Sequence, residues 1–476
     1  MKKIVVIGAG SIIFSTTVTN DLLATACLSD SSIVLVDPTI AKAQRVENYV
    51  KRIVAQNGLK ATIRSTTDRR EALRDADYVI TTIKIGGAAA FKADYEIPKK
   101  YGIDVCVGEC VGPGGVFRAL RTIPVMVEIV QDIQEICPRA VLLNYVNPMA
   151  MICMAIGKSS SLSFAGLCHG VQTTLDLISG YVGVKKEEID YLAAGINHMA
   201  WFLKLERDGK DLYPTFRDRL EKPEYYINEK VRAEVARHFG YFMTESSGHL
   251  SDYLPWFRKN RKALAAYCDQ PGLAGESGFS YAFQKMMEEK YGATDYLKNE
   301  SGKLEPRSVD YCSWILEALS TGKYFRFQGN VMNNGFINNL PADCCVEVPV
   351  FADSNGLHPT CVGDLPPALA AMNQSNITLQ KLGVEAALTG DVELAMAAIA
   401  MDPLTSSVLT LKEIRDMVIE MFEAEERFLP KFGKKRPRTV HAVEIPEGTR
   451  GVDVPLDPAL AVANRFGKLF EAKQAD

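Results

Sequence analysis

No uninterrupted apolar run in these 476 residues approaches the ~20 that a membrane-spanning helix needs. The amino terminus, Met1-Lys2-Lys3 followed by Ile4-Val5-Val6-Ile7, reaches glycine too soon for the apolar segment of a signal peptide. An excess of one charge is also missing. With a formal net charge of -4, neither nucleic acid nor an anionic membrane is an expected partner, and a small molecule is. The eleven cysteines follow no regular spacing, so they read as reduced thiols and not as a disulfide framework, and a cytoplasmic location is expected. Internal repeats and low-complexity tracts are lacking too, which excludes solenoids and arrays. What is present is an ordinary globular composition, 47% hydrophobic and 24% charged, long enough for two or three packed lobes.

The first lobe announces itself at once. Lys3 to Ile7 read as a buried strand, the turn Gly8-Ala9-Gly10-Ser11 follows, and a helical pattern runs to about Leu28. A second strand, Ile33 to Val36, ends in Asp37. Glycines let the backbone turn tightly so that a pyrophosphate can approach the amides at a helix start, and an acidic residue at the tip of the second strand suits the ribose hydroxyls of NAD. Ile13 stands where a third glycine is usual, so position and Asp37 carry this reading more than the glycines do. Alternation continues through a helix at Arg69 to Asp75, a strand at Tyr78 to Ile83, a loop at Ile85-Gly86-Gly87, a helix from Ile123 to Ile136 and a strand from Ala140 to Leu143. The expected fold class is α/β, a Rossmann-like doubly wound parallel sheet with a second α+β lobe. Residues 1–194 form the expected dinucleotide-binding domain and residues 195–476 the catalytic and oligomerisation domain. Within the second, Met199 to Glu206 reads as a strand before the turn Asp208-Gly209, and a helix is expected near Ser280 to Glu289 in the polar stretch from Arg258 to Arg307. The basic run from Lys431 to Arg438 reads as a solvated loop, with a last helix from about Pro458 to Lys473.

Ligands of such sheets gather beyond the carboxyl ends of the strands, and four polar segments lie there. One is Gly108-Glu109-Cys110-Val111-Gly112-Pro113-Gly114-Gly115, read as a turn able to wrap a ligand, with Arg118 and Arg121 on the helix after it. Another is Asn144-Tyr145-Val146-Asn147-Pro148-Met149, whose amides can serve sugar hydroxyls or a nicotinamide. The last two place Cys168 and His198 behind apolar stretches, where a thiolate and an imidazole can share one divalent ion. Each alone is more often structural; their joint placement beside a nucleotide fold favours a metal.

These motifs, together with Gly166-Leu167-Cys168-His169-Gly170-Val171-Gln172, Ala194-Gly195-Ile196-Asn197-His198, Gly240-Tyr241-Phe242-Met243-Thr244-Glu245-Ser246-Ser247, Gly329-Asn330-Val331 and Asn339-Leu340-Pro341, resemble glycoside hydrolase family 4, most of all its α-galactosidase branch. The resemblance reaches about Pro430 and leaves the Arg258 to Arg307 stretch unmatched. It implies a glycosidase acting on an α-glycoside or oligosaccharide with NAD and Mn2+, or another divalent metal, as cofactors. In such enzymes NAD+ takes hydride from C3 of the glycone, a base removes the acidified C2 proton, the aglycone leaves from C1, water adds and the ketone is reduced again. By the resemblance Cys168 and His198 hold the metal, which stabilises the enediolate-like charge as a Lewis acid. Gly8, Gly10, Ser11, Asp37, Ile85 and Asn144 would bind the dinucleotide. Glu109, Asn147, Arg121 and Gly170 would line the substrate.

The base falls in the loop Gly248-His249-Leu250-Ser251-Asp252-Tyr253. Tyr253 is preferred, since a nearby cation lowers a phenol toward working pH, and Asp252 competes. His169 is the candidate acid for the departing aglycone. Members handling phosphorylated sugars carry Asp or Asn there, which argues against such substrates. At the Gly170 position galactosidase-like members commonly carry serine, glucosidase-like ones glycine and uronidase-like ones glutamate, so α-galactose, α-glucose and α-uronic acid stay open. Glycine there is also expected to leave room in the pocket. The resemblance further implies a homodimer or homotetramer. A reading of another class is a metal-assisted NAD-dependent hydroxy-acid dehydrogenase in which Arg118 or Arg121 clamps a carboxylate. A nucleotide-sensing module without catalysis is the third, and it has no need of a Cys168 thiolate.

Overall fold

Strand order shows where the doubly wound pattern ends and what continues it. In the computed structural model, which describes residues 1–292, 296–298 and 300–452, six strands run parallel: β1 (Lys3–Ile7), β2 (Ser32–Val36), β3 (Thr62–Thr66), β4 (Tyr78–Thr81), β5 (Val141–Asn144) and β6 (Phe164–Leu167). Their spatial order is β3-β2-β1-β4-β5-β6, a doubly wound parallel sheet of the class expected from the sequence, with β3 added to the expected strands. Helices flank these strands, so both strand faces are covered; Ile4, Val5, Val6, Ile33, Val34, Leu35, Val79 and Ile80 are wholly buried. The order reverses between β1 and β4, which opens a crevice beyond their carboxyl ends.

The second half supplies β7 (Asp190–Ile196), β8 (Met199–Arg207), β9 (Lys210–Asp211), β10 (Phe325–Met332), β11 (Cys345–Asp353) and β12 (Gly356–Pro359). These strands do not build a sheet of their own. β10 pairs antiparallel with β6, matching Gly329 to Leu167 and Asn330 to Gly166, and β11, β7, β8 and β9 follow in turn, with β12 on β11. One mixed sheet of 12 strands therefore spans both halves, and the boundary expected at residue 194 falls inside β7. Residues 1–438 form one compact unit. Residues 439–452 carry neither helix nor strand.

One boundary differs in a way that matters for the site. The helix expected from Ile123 begins at Gly112 and runs to Ile136, so Gly112-Pro113-Gly114-Gly115 is its first turn and not a ligand-wrapping loop. Proline is at home in a first helical turn because its missing N–H would have had no partner there. Gly114 and Gly115 serve close packing: a Cβ at Gly114 would lie 2.7 Å from Gly108 O, and one at Gly115 2.5 Å from the Cys110 carbonyl carbon. The helix therefore lies directly on the 108–110 segment. The helix near Ser280 spans Phe279–Gly292. Residues 431–438 are mostly exposed, as expected of a solvated loop. The helix expected from Pro458 to Lys473 lies outside the described residues.

Candidate active site

Two strand ends deliver the metal candidates. Cys168 leaves the carboxyl end of β6 just before the helix Gly170–Val182, for which His169 is the N-cap position. His198 sits in the two-residue turn that joins β7 to β8, where Ile196 pairs with Met199, and it adopts φ +62. That left-handed conformation is uncommon for a side-chain-bearing residue, though histidine accepts it more readily than most. The segment after Met243, which forms an isolated bridge with Trp201 beside β8, brings in a third group that the sequence reading had not weighed. Glu245 Oε2 lies 3.6 Å from Cys168 Sγ and 3.8 Å from His198 Nε2. One ligand atom from each of the three lies within 4.8 Å of the others.

Thiol, imidazole and carboxylate converging in a buried place are a fitting donor set for a divalent ion. Without a cation, burial and then the carboxylates of Glu245 and Glu347 push the Cys168 thiol well above its ordinary value. Burial lowers His198, but Cys110, Glu245 and Glu347 outweigh it and raise the imidazole to about 9. A divalent ion among these groups would reverse both effects and displace the protons. Glu347, wholly buried on β11 opposite Gly195, is itself pushed up to about 7 by burial.

The loop expected to carry the base is the helix Ser247–Tyr253, with Ser246 capping it through the His249 N–H. Tyr253 is 2% exposed, and its hydroxyl lies 3.4 Å from His198 Nδ1. Burial, then Cys110 and Cys168, push this phenol well up in the metal-free protein. Asp252, its competitor, is committed elsewhere. Its carboxylate accepts the backbone N–H groups of Cys106, Val107 and Gly108 at 2.9, 2.8 and 3.1 Å and pairs with Arg258. It fixes the segment that presents Glu109. His249, which no motif singled out, packs on His198 with ring centroids 4.4 Å apart, and burial pushes it down to about 4.

His169 acquires a partner just past the Arg258 to Arg307 stretch. Its Nε2 lies 2.7 Å from Asp310 Oδ2, while the Tyr145 hydroxyl donates to the other oxygen of the same carboxylate. Hydrogen bonding to Asp310 raises the imidazole above its ordinary value. Asp310 also caps the helix Tyr311–Thr321 through the Cys312 N–H. The only sequence signal for it was that helix start, Asp before an apolar periodic run.

Among the substrate candidates, Glu109 is half-buried and forms a close ion pair with Arg118, Nη1 lying 2.8 Å from Oε2 without hydrogen-bond alignment. Burial raises its carboxyl, but Arg118, Lys84 and His249 together hold it below the ordinary value. Asn147 is half-buried just beyond β5. Arg121 does not face a sugar. Its guanidinium is 3% exposed and bonded to Asp94, Glu425 and the Ile85 carbonyl. Gly170 also differs from expectation, because the room left by its missing side chain is already filled. A Cβ there would lie 2.4 Å from Glu245 Oε2 and 2.7 Å from Thr244 O.

The glycine turn after β1 has the features a dinucleotide needs. Gly8 takes φ +95, and a Cβ on it would lie 2.7 Å from the Thr82 carbonyl carbon, so the turn can cross β4 this closely only as glycine. Ser11 precedes the helix Ile12–Leu23 with an exposed side chain that makes no cap hydrogen bond, leaving its hydroxyl and the helix start for a phosphate. Asp37 closes β2 and accepts the Gly10 N–H at 2.9 Å and the Thr39 N–H at 2.8 Å. Ile85 follows β4, and its carbonyl accepts from Arg121 Nε at 3.1 Å. The Asn144 side chain is not offered to a ligand: Thr81, Val146 and Met149 occupy both its ends.

Comparison with known proteins agrees with this geometry. Residues 3–184 match the profile of the family 4 glycosyl hydrolases and residues 193–405 that of the family 4 glycosyl hydrolase C-terminal domain. An alpha-galactosidase of Rhizobium meliloti (strain 1021) is 38% identical over 443 residues, 90% of this chain and 89% of that one. An alpha-galactosidase of Bacillus subtilis (strain 168) is 38% identical over 436 residues, 91% of this chain and all of that one. The 6-phospho-beta-glucosidase of Thermotoga maritima, solved with manganese, NAD+ and glucose-6-phosphate, superposes with a TM-score of 0.72 over 90% of this chain and 99% of that one. At 23% identity that likeness speaks for the fold alone. Profiles matching both halves, and two relatives at 38% identity along nine-tenths of its length, show that this chain belongs to the family 4 glycosyl hydrolases.

Proposed function

We propose that this protein hydrolyses α-glycosides, in the first place α-galactosides, using NAD and a divalent metal, Mn2+ for preference. The observation that carries the reading is the meeting of Cys168, His198 and Tyr253 beyond a sheet whose first strand ends in the Gly8–Ser11 turn. When bound, NAD+ supplies reversible oxidation at C3 of the glycone, and the metal supplies Lewis-acid stabilisation of the negative charge that follows. Cys168 and His198 hold the ion. Gly8, Gly10, Ser11 and Asp37 cradle the dinucleotide, with the Ile85 segment along the crevice. Tyr253, directed at His198, takes the C2 proton on its phenolic oxygen. The half-exposed His169 donates a proton from its ring to the leaving oxygen at C1, oriented by Asp310. Glu109 and Asn147 orient the sugar hydroxyls. In this division of labour residues 1–194 bind the dinucleotide, while the remainder completes the sugar site and carries the contacts between copies of a homodimer or homotetramer. Exposed Phe283 and Met286 on one helix support such contacts. Eleven free cysteines support a cytoplasmic location.

Galactose is favoured by the two relatives at 38% identity, and Gly170 no longer argues against it, since Glu245 and not open pocket lies over it. A hydroxy-acid dehydrogenase is disfavoured because both arginines that would clamp a carboxylate are already paired with acids. The test is a panel of aryl α-galactosides, α-glucosides and α-uronides with Mn2+, NAD+ and a reductant. Release of the aryl group from the galactoside without net NADH is expected. Failure on every glycoside, with NADH formed from a hydroxy acid, would overturn the proposal. Tyr253→Phe is expected to keep metal and NAD+ binding while lowering kcat by about 10²- to 10⁴-fold, the usual worth of a positioned base. A kcat within threefold of wild type would remove Tyr253 from that role.

A further inference from the structure

We infer that Glu245 is a third protein ligand to the divalent ion and that in this chain its carboxylate is seated in the space left over Gly170; the inference rests on the reading of Cys168 and His198 as ligands. Ligands bound about 2.0–2.3 Å from one ion, at ordinary coordination angles, lie roughly 3–3.7 Å from one another. Glu245 Oε2 meets this spacing toward Cys168 Sγ at 3.6 Å and falls just beyond it toward His198 Nε2 at 3.8 Å. Its other oxygen is held by the Ser246 N–H at 3.2 Å, which fixes the carboxylate with Oε2 turned toward the pair.

Charge leads to the same assignment. The Glu245 side chain is 13% exposed, and among the described residues its ion-pair partners are only the imidazoles of His198 and His249. Arg232 adds a weaker pull, but among the described residues no lysine or arginine pairs with this carboxylate directly, and a divalent ion would compensate its charge at close range. A divalent ion bound by one thiolate, one carboxylate and a neutral imidazole makes a centre of zero net charge, the cheapest state to bury. The added oxygen ligand also suits Mn2+ better than sulfur and nitrogen alone would.

Gly170 supplies the independent observation. A Cβ at this first residue of the helix Gly170–Val182 would fall 2.4 Å from Glu245 Oε2 and 3.0 Å from its Cδ. The same Cβ would lie 2.7 Å from Thr244 O, on backbone tied to β8 through the Thr244 N–H and Ala200 O at 2.9 Å. That backbone gives little, so an added side chain must displace the carboxylate. Residue 170 thus acts on the metal through Glu245, as a positioning residue and not as a wall of the sugar pocket.

The test is Mn2+ titration of the metal-free, NAD+-loaded protein, with free ion read from its EPR signal. Wild type is expected to bind one Mn2+, and Cys168→Ser and His198→Ala to lose it. Glu245→Gln should weaken binding by at least 10- to 100-fold, a loss that even groups merely supporting a ligand can cause. Gly170→Ala, which keeps the carboxylate but moves it, should weaken binding in the same direction. Near-wild-type affinity in Glu245→Gln, with binding lost in the Cys168 and His198 variants, would overturn this inference and leave the metal site standing. Absence of Mn2+ binding in wild type would overturn both. Circular dichroism and NAD+ affinity report folding. Should Glu245→Gln fail to fold, Glu245→Asp and Gly170→Ala decide, and unchanged Mn2+ affinity in both overturns the inference.

Discussion

Cys168→Ser is expected to abolish tight metal binding and to lower glycoside turnover by at least about 10³-fold, roughly 4 kcal/mol of barrier. A serine oxygen is smaller than sulfur and does not ionise near neutral pH, so the thiolate half of the site's negative charge disappears. The hole opens where geometry is tightest, at the end of β6 and 3.6 Å from Glu245 Oε2. NAD+ affinity should change little, because the glycine turn after β1 belongs to a different strand end. Calorimetric titration of Mn2+ and NAD+, combined with aryl α-galactoside turnover, checks all three expectations. A variant keeping more than a tenth of wild-type turnover under limiting Mn2+ would contradict them. Peroxide should imitate the substitution in the wild-type enzyme, and a thiol reductant should reverse its early, sulfenic stage.

Arg121→Met is expected to destabilise the fold by about 3–5 kcal/mol, the usual effect of removing one partner from a buried ionic cluster. The guanidinium bonds Asp94 at 2.9 Å and Glu425 at 2.8 Å, both buried, and the part-buried Ile85 carbonyl at 3.1 Å. Burial and the charge of Asp94 already push the Glu425 carboxyl well up, and Arg121 is what opposes them. Without it both acids must take up protons or water. The damage should also reach the Ile85 loop beside the crevice, so KM for NAD+ is expected to rise along with the loss of stability. Replacing all three members by apolar residues of similar volume should recover most of the stability. Urea unfolding monitored by circular dichroism measures the effect, and a loss below about 1 kcal/mol would mean that the cluster does not carry this stability.

β1, β2, β4 and β5 were legible because they are short, apolar and separated by helical periodicity, and Lys3–Ile7 and the Asp37 tip fell where expected; the polar, partly exposed β3 was not. The joining of β10 to β6 was not, since local patterns carry no information about which edge a later strand extends. The glycine run at 112–115 misled for a related reason. Glycine marks both ligand-wrapping turns and close contacts, and only the neighbouring Gly108 and Cys110 backbone decides between them. Cys168 and His198 were visible as polar islands behind strands. Glu245 and Asp310 were not, because each is an ordinary acid in sequence and becomes notable only through what faces it, a thiol and imidazole in one case and His169 in the other. Arg121 was misassigned because a cation on a helix near a glycine-rich segment looks the same whether its acids come from a ligand or, as here, from Asp94 and Glu425.

Bond cleavage is expected to proceed through oxidation at C3 and loss of the C2 proton, with NAD returned at the end of each turnover. Hydrolysis of an aryl α-galactoside in D2O, with Mn2+ and substoichiometric NAD+, tests it most directly. The expected result is many turnovers per NAD+, no accumulated NADH and deuterium at C2 of the released sugar. Sugar released with only protium at C2, or NADH formed one for one with product, would contradict it.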